Sequence, residues 1–456
     1  MLFTDAIFLF YFLPLVLILH RLLAGEGGGK YPVAARWFLV SATLIFYGWN
    51  QPWWVAPFFV SAGFDYFWVS LLLRAKALSW RRLWLVLSIT QNILLLSLFK
   101  YRDFFSAQLG FPMLKLDGVS LVVPAGISFY TFESLSFVID CYRGKINKRP
   151  SLTRFLGFLA MFPRFVIGPI TRYPEISSQM DRYAGAQLER GLTIFAWGFF
   201  QKICIADQLA LFTHFAFSGE SHSVAGSWLG LLSYTLQLYF DFSGYSSMAI
   251  GLGYCLGFSF PNNFDRPFQA LSLGEFWRRW HQSLSFWMRD YIYYPLRGQN
   301  PSRAWIFLCL LTTMLLTGAW HGQGWIFIVF GLFHGVILCV ERLLARPLGR
   351  SWTFIIFALS MVLFRSENLE QASGIYRDLV FGRGNFDWSY IRQHWLNFCV
   401  AMGAGVYVLL EAKIPKDWER PEEVGLGRKI FALASLLIGI TLLFGGQKIP
   451  FLYFQF

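Results

Sequence analysis

The octapeptide Gly318-Ala-Trp-His-Gly-Gln-Gly-Trp325 sets one imidazole, His321, between two apolar runs, Trp305 to Leu316 and Ile326 to Val340. Each run is long enough for much or all of a bilayer crossing, since roughly 20 apolar helical residues span the hydrocarbon. An ionisable side chain is expensive in such a place and marks a functional site by default. Imidazole titrates near neutrality and is suited to taking a proton from a weakly acidic hydroxyl. The plainer alternative is a histidine that caps a helix end at the membrane surface, hydrogen-bonded and inert.

A second cluster lies upstream. From Phe276, a rotation of about 100° per residue gathers Phe276, Trp280, Leu284, Trp287 and Tyr291 on one face. Arg278, Gln282, Ser285 and Arg289 fall on the opposite face, with His281 at the boundary. The pattern predicts one amphipathic helix in or near the inner membrane surface, with Arg279 and Arg297 adding charge. Such a stripe fits the phosphates of a nucleotide-containing donor such as coenzyme A. Lipid headgroups would satisfy the same arginines. His334 reads as structural, and His20, His214, His222 and His394 sit near helix ends or loops and carry no assigned role. No G-x-S-x-G elbow is present, so a hydrolase triad is not expected.

The elements that must position these groups are membrane helices. The 456 residues are 56% hydrophobic, 20% aromatic and only 14% charged, with a mean hydropathy of +0.47. A soluble domain of that length needs more charge to cover its surface. Six cysteines (141, 204, 255, 309, 339 and 399) are scattered singly, with no metal-ligand spacing, and read as small core hydrophobes. Met1 to Ile7 carries only Asp5, so the first apolar run is a retained helix rather than a cleavable signal. Lysine and arginine alternate between loops, which places the N-terminus outside. The net charge of +13 is therefore topological and requires no nucleic acid.

Crossings are expected near residues 4–23, 37–49, 55–73, 83–99, 120–140, 189–212, 227–256, 305–320, 325–344, 352–364, 393–411 and 429–445. With a re-entrant piece from Phe155 to Ile170, the fold class is an all-α polytopic membrane protein with about 11–13 spanning or re-entrant helices. One membrane domain over 1–456 is the economical reading. Ser366 to Gln393 is the longest polar interruption on the outer side, and Glu411 to Lys429 the longest on the inner side. Breaks occur where hydrocarbon is expected. Met161 to Arg172 holds two prolines, a glycine and Arg164; Leu238 to Ser247 holds Asp241, Ser243 and several hydroxyls. Irregular backbone at that depth must be satisfied by protein or a watery cavity. Arg164, Asp241 and Ser243, with Trp320, are the candidates to line a polar tunnel. Ordinary hydrogen bonding between helices is the alternative.

Phe264-Asp-Arg-Pro-Phe268, then Glu275-Phe-Trp-Arg-Arg-Trp-His-Gln-Ser-Leu-Ser285 and Arg289-Asp-Tyr-Ile-Tyr-Tyr-Pro-Leu296, resemble the signature block of the bacterial membrane-bound O-acyltransferases. Gly318-Ala-Trp-His-Gly322 is similar to that family's second motif, and the signature region runs over 264–340. Pro124-Ala-Gly-Ile-Ser-Phe-Tyr-Thr-Phe132, Gly168-Pro-Ile170, Lys202 with Ile205-Ala-Asp207, and Tyr239-Phe-Asp-Phe-Ser-Gly-Tyr245 agree as well. The likeness is nearest the alginate O-acetylation branch. It implies a ring of helices around a central tunnel, with His321 catalytic at its waist and His281 a second important histidine on the cytoplasmic side. It also implies acetyl transfer from acetyl-CoA, as substrate rather than resident cofactor and with no metal. The acceptor would be an extracytoplasmic polysaccharide (alginate or a similar exopolysaccharide, cellulose or peptidoglycan).

Two further expectations follow. The chain shows little extracytoplasmic mass, so a separate periplasmic or membrane-anchored transfer protein should dock outside; by resemblance it would be a serine esterase of the SGNH type. The tail 446–456 would lie outside, with Pro450 ending the last helix, in a bacterial inner membrane. Its aromatics around Tyr453 are either an interfacial anchor or a segment that folds back towards His321. In the second case the phenol could carry an acetyl group. The competing class is a transporter or flippase, which broken helices and buried charges would also suit.

Overall fold

The structure, a computed structural model, describes residues 1–110, 123–219, 222–415, 423–445, 449 and 451–452. Among these residues the secondary structure is helical apart from two isolated bridges. Among the described residues seven helices are long and apolar enough to cross a bilayer, and Phe8–Ala24 and Val33–Gly48 are shorter apolar helices. The other expected crossings are present as Ile127–Tyr142, Val224–Cys255 and Arg350–Arg365. Buried polar residues in those three, such as Glu133, Asp241 and Ser360, lower their apolarity without removing them from the core. The chain packs as two compact units, Met1–Phe195 with Met248–Pro261, and Ala196–Ser247 with Asn262–Phe456.

In the first unit the helix Ile127–Tyr142 is buried almost all round, whereas Leu78–Phe99 turns most of its apolar surface outward, as a lipid-facing helix does. The expected break in the Phe155 to Ile170 segment is real: Leu152–Leu159 ends and Phe162–Phe165 begins after a short non-helical step. Side chains satisfy that backbone. Thr43 Oγ1 accepts the Phe162 N–H at 2.9 Å and donates to the Ala160 carbonyl at 3.1 Å. Beyond it, Glu133 accepts from Arg164 and from the Thr171 N–H and hydroxyl, at 3.0 and 3.1 Å for the latter two. Asp65 gathers Ser88, Asn92 and Ser134 at 2.5–3.0 Å from two neighbouring helices.

The second unit holds the hairpin of Arg303–His321 and Trp325–Leu344, then Arg350–Arg365, Trp395–Leu410 and Leu426–Gly445. Its core is aromatic, with Phe268, Phe276, Trp280, Phe330, Phe357 and Phe364 in one cluster. Two expectations fail here. The segment from Phe276 is not one amphipathic helix. Leu273–Arg279 stops, Trp280 is extended, His281 is left-handed at φ 43°, and Gln282–Met288 starts anew. The face assignment survives the break, because Phe276, Trp280, Leu284, Trp287 and Tyr291 are all buried. The polar stretch Ser366 to Gln393 is also not a loop: it folds as Leu369–Phe381 and Trp388–Gln393, capped by Asn368 and Asp387.

Candidate active site

His321 is the last residue of its helix, and only Gly322 to Gly324 separate it from the next. A Cβ on Gly318 would stand 2.3 Å from the Phe327 carbonyl oxygen, and one on Gly322 2.2 Å from the Phe327 ring. The glycines on either side of His321 therefore let the hairpin close. The imidazole is 5% exposed. Its ring lies 5.0 Å from Trp320, 5.1 Å from Phe364 and 5.9 Å from Phe330.

His281 reaches the same neighbourhood from the broken amphipathic segment. A left-handed non-glycine residue costs on the order of 1–3 kcal/mol and persists only when its surroundings impose it. Asn263 supplies the constraint. Its carbonyl accepts the Gln282 N–H at 2.9 Å, and its Oδ1 accepts the Ser283 N–H and hydroxyl at 3.3 and 2.6 Å. Its Nδ2 donates to Ser246 Oγ at 3.0 Å. The turn drives His281 into the core rather than leaving it at a face boundary. The ring sits edge-on to Phe242 at 4.6 Å and 6.1 Å from Trp320. Trp320 thus adjoins both histidines.

The same unit holds a cavity of about 650 Å³ whose lining includes Trp277, Arg278, Arg289, Thr317, Arg342 and Arg346. Thr317 lies one helical turn before His321, about 6 Å along the axis. The floor is apolar, with Leu310 and Met314, while four guanidinium groups and the Glu341 carboxylate supply the charge. Arg289 is bonded to Asp290 at 2.7 Å and its guanidinium stands 4.6 Å over Phe286. Arg279 lies outside the lining and is committed to Glu275 at 2.7 and 3.0 Å. The Leu271 N–H and Arg279 hold the Glu275 carboxyl below its ordinary range.

The remaining candidates divide between the units. Arg164 closes on Glu133. Asp241 pairs with Lys202 at 2.5 Å, and Lys202 also holds Asp207 at 2.8 Å. Ser243 is buried on the same helix as Asp241. His334 bonds Ser360 at 3.0 Å between Trp277 and Phe330. Tyr453 and Pro450 lie outside the described residues.

Three features escape sequence reasoning. Lys202 and Asp207 share a face only because Gln201–Ala206 is π-helical, a spacing that a 3.6-residue period cannot announce. Asn263 acts through its side-chain amide and its own carbonyl from outside the segment it holds, and leaves no motif. Arg342 and Arg346 follow their helix's apolar run and read simply as its basic end. Their four-residue spacing was the available signal.

A multi-pass helical chain that keeps two buried histidines around one tryptophan, beside a basic cavity, is equipped for group transfer inside a membrane. It belongs to the membrane-bound O-acyltransferase family, whose match runs over residues 77–361, more than half the chain. Relatives agree with that assignment. The chain is 38% identical over 412 residues to a probable alginate O-acetylase AlgI of Pseudomonas aeruginosa, covering 86% of this chain and 77% of that protein. A probable alginate O-acetylase AlgI of Pseudomonas putida is 34% identical over 499 aligned residues, with all of both chains covered. A peptidoglycan O-acetyltransferase of Helicobacter pylori is 34% identical over 424 residues, 83% of this chain and 80% of that protein. The chain is an acyltransferase, and the transporter reading lapses.

Proposed function

We propose that this enzyme moves acetyl groups from acetyl-CoA at the cytoplasmic side of a bacterial inner membrane to an acceptor beyond it, for O-acetylation of alginate or a similar exopolysaccharide. Both chain termini lie outside. The observation that carries the reading is the cavity lined by four arginines, whose lining also includes Thr317, one turn before His321. Arg278, Arg289, Arg342 and Arg346 hold the phosphates of the donor, and the apolar floor takes its narrow thioester arm.

His321 acts as general base. It accepts the hydroxyl proton of the acceptor as the acceptor oxygen attacks the thioester carbonyl; the C–O bond forms, the C–S bond breaks, and the proton passes to the departing thiolate. His281 orients this centre through Trp320. Tyr453 serves as a transient acceptor in the tail, and a separate SGNH-type transfer protein outside delivers the group to the polymer. The Helicobacter relative supports a second reading, in which the polymer is peptidoglycan and the chemistry is unchanged.

Proteoliposomes given labelled acetyl-CoA test the core of this proposal. Release of thiol and transfer of label are expected from the native chain and not from His321→Ala. A native chain that neither cleaves nor transfers would remove acetyl-CoA as donor.

A further inference from the structure

Near the far end of the chain, two described residues are seated in the second unit. Phe451 is 2% exposed and Leu452 4%. The Phe451 ring packs 5.0 Å from Tyr245 and 6.1 Å from Phe242. The Leu452 N–H donates to Asp241 Oδ2 at 2.9 Å, while Asp241 Oδ1 holds Lys202 Nζ at 2.5 Å. Phe242, between these contacts, is also the ring against which His281 is set.

A fully buried carboxylate is costly unless its lone pairs are satisfied. One oxygen of Asp241 is satisfied by the Lys202 ammonium, and Lys202 in turn is fixed by Asp207 across the π-turn. The other oxygen takes the backbone N–H of Leu452. A backbone donor carries no side-chain identity, so it sets register: it says which residue stops there, and the apolar seat for Phe451 says in which direction the segment enters. The bond also ties the segment to the helix whose Phe242 packs against His281.

We propose that Asp241, fixed by Lys202, with Phe242 and Tyr245 forms a binding site for the chain's own segment at Phe451 and Leu452, and that Asp241 is the positioning residue that sets the register of that segment. The function of the site rests on the acyl-carrier reading in one respect: Tyr453 is the residue that follows the clamped amide. The occupant is defined by its chemistry, one aromatic side chain followed by a backbone amide that donates to the carboxylate.

Amide hydrogen exchange on the full chain in lipid nanodiscs, resolved to single residues near the terminus, tests the clamp without catalysis. The Leu452 amide should exchange at least tenfold more slowly in the native protein than in Asp241→Leu. Equal exchange in the two overturns the clamp. Because Asp241→Leu can disturb folding, the tail itself supplies a second variant. Leu452→Pro deletes the donated N–H, and Leu452→Met keeps it. Acetyl transfer to polymer should fall at least tenfold in the first and be retained in the second. Native-level transfer by Leu452→Pro overturns the positioning role. Failure of the native chain to use acetyl-CoA at all would be a failure of the donor assignment, and it would leave the exchange result standing.

Discussion

The two units bury ionic groups in opposite styles. In the first, Glu133 takes both Arg164 and Thr171 within one short region, and Asp65 is satisfied by three side chains on adjacent helices. In the second, Lys202 links Asp207 to Asp241, and Asp241 reaches a residue more than 200 positions away. The same unit sets two histidines on one tryptophan beside an arginine-lined cavity. Breaking one partner of a buried set costs stability wherever it occurs. Only in the second unit should it also change chemistry. The first unit's buried polar residues are thus expected to serve as scaffold, and the second unit's as apparatus.

The largest effect that would test this division is at His321. His321→Ala should abolish acyl transfer, to below a few per cent of native, with thermal unfolding of the purified protein nearly unchanged. Substantial residual turnover would move the base elsewhere. Tyr453→Phe keeps the aromatic bulk of the tail and removes its hydroxyl; polymer acetylation should vanish while membrane association persists. Normal acetylation by that variant leaves the tail as an anchor. His281→Ala should reduce transfer about a hundredfold, the range of a lost acid–base or orienting group.

Asp65→Ala provides the contrast from the scaffold side. It strands three buried donors at roughly 1 kcal/mol or more each, so the melting temperature should drop by several degrees while turnover per folded molecule is kept. A large loss of turnover at unchanged stability would erase the division between the units. The smallest effect is expected from Arg278→Ala or Arg342→Ala in the cavity. Each should raise the donor KM about tenfold more than it lowers kcat, as loss of uniform binding does. A double variant with native donor affinity would assign these arginines to lipid headgroups.

Much of the second unit's hairpin was legible in the sequence. The crossing expected over residues 325–344 is the helix Trp325–Leu344, because glycines precede it and a basic pair ends it. The break around Phe162 was legible too, since two prolines and a glycine leave few other outcomes. The turn at His281 was not, because a left-handed histidine is dictated by Asn263 from outside its own segment. The helices Leu369–Phe381 and Trp388–Gln393 were missed because polar residues dilute their apolar period. The π-helical step at Gln201–Ala206 shifts register within an otherwise regular helix, so its ionic pairing appears only in three dimensions.

The glycine-mediated closure of Arg303–His321 on Trp325–Leu344 has a consequence for biogenesis. Two apolar helices joined by three residues form their mutual contacts as soon as both have left the ribosome, with almost no loop-closure entropy to overcome. Small residues at the crossing permit close van der Waals approach in lipid, where no hydrophobic force drives helices together. The His321 imidazole sits at the tip of that hairpin, so its placement is established during insertion, before the residues near the far end that contact Asp241 have been synthesised. Gly318→Leu should therefore appear first as a defect in membrane insertion and yield, ahead of any kinetic measurement.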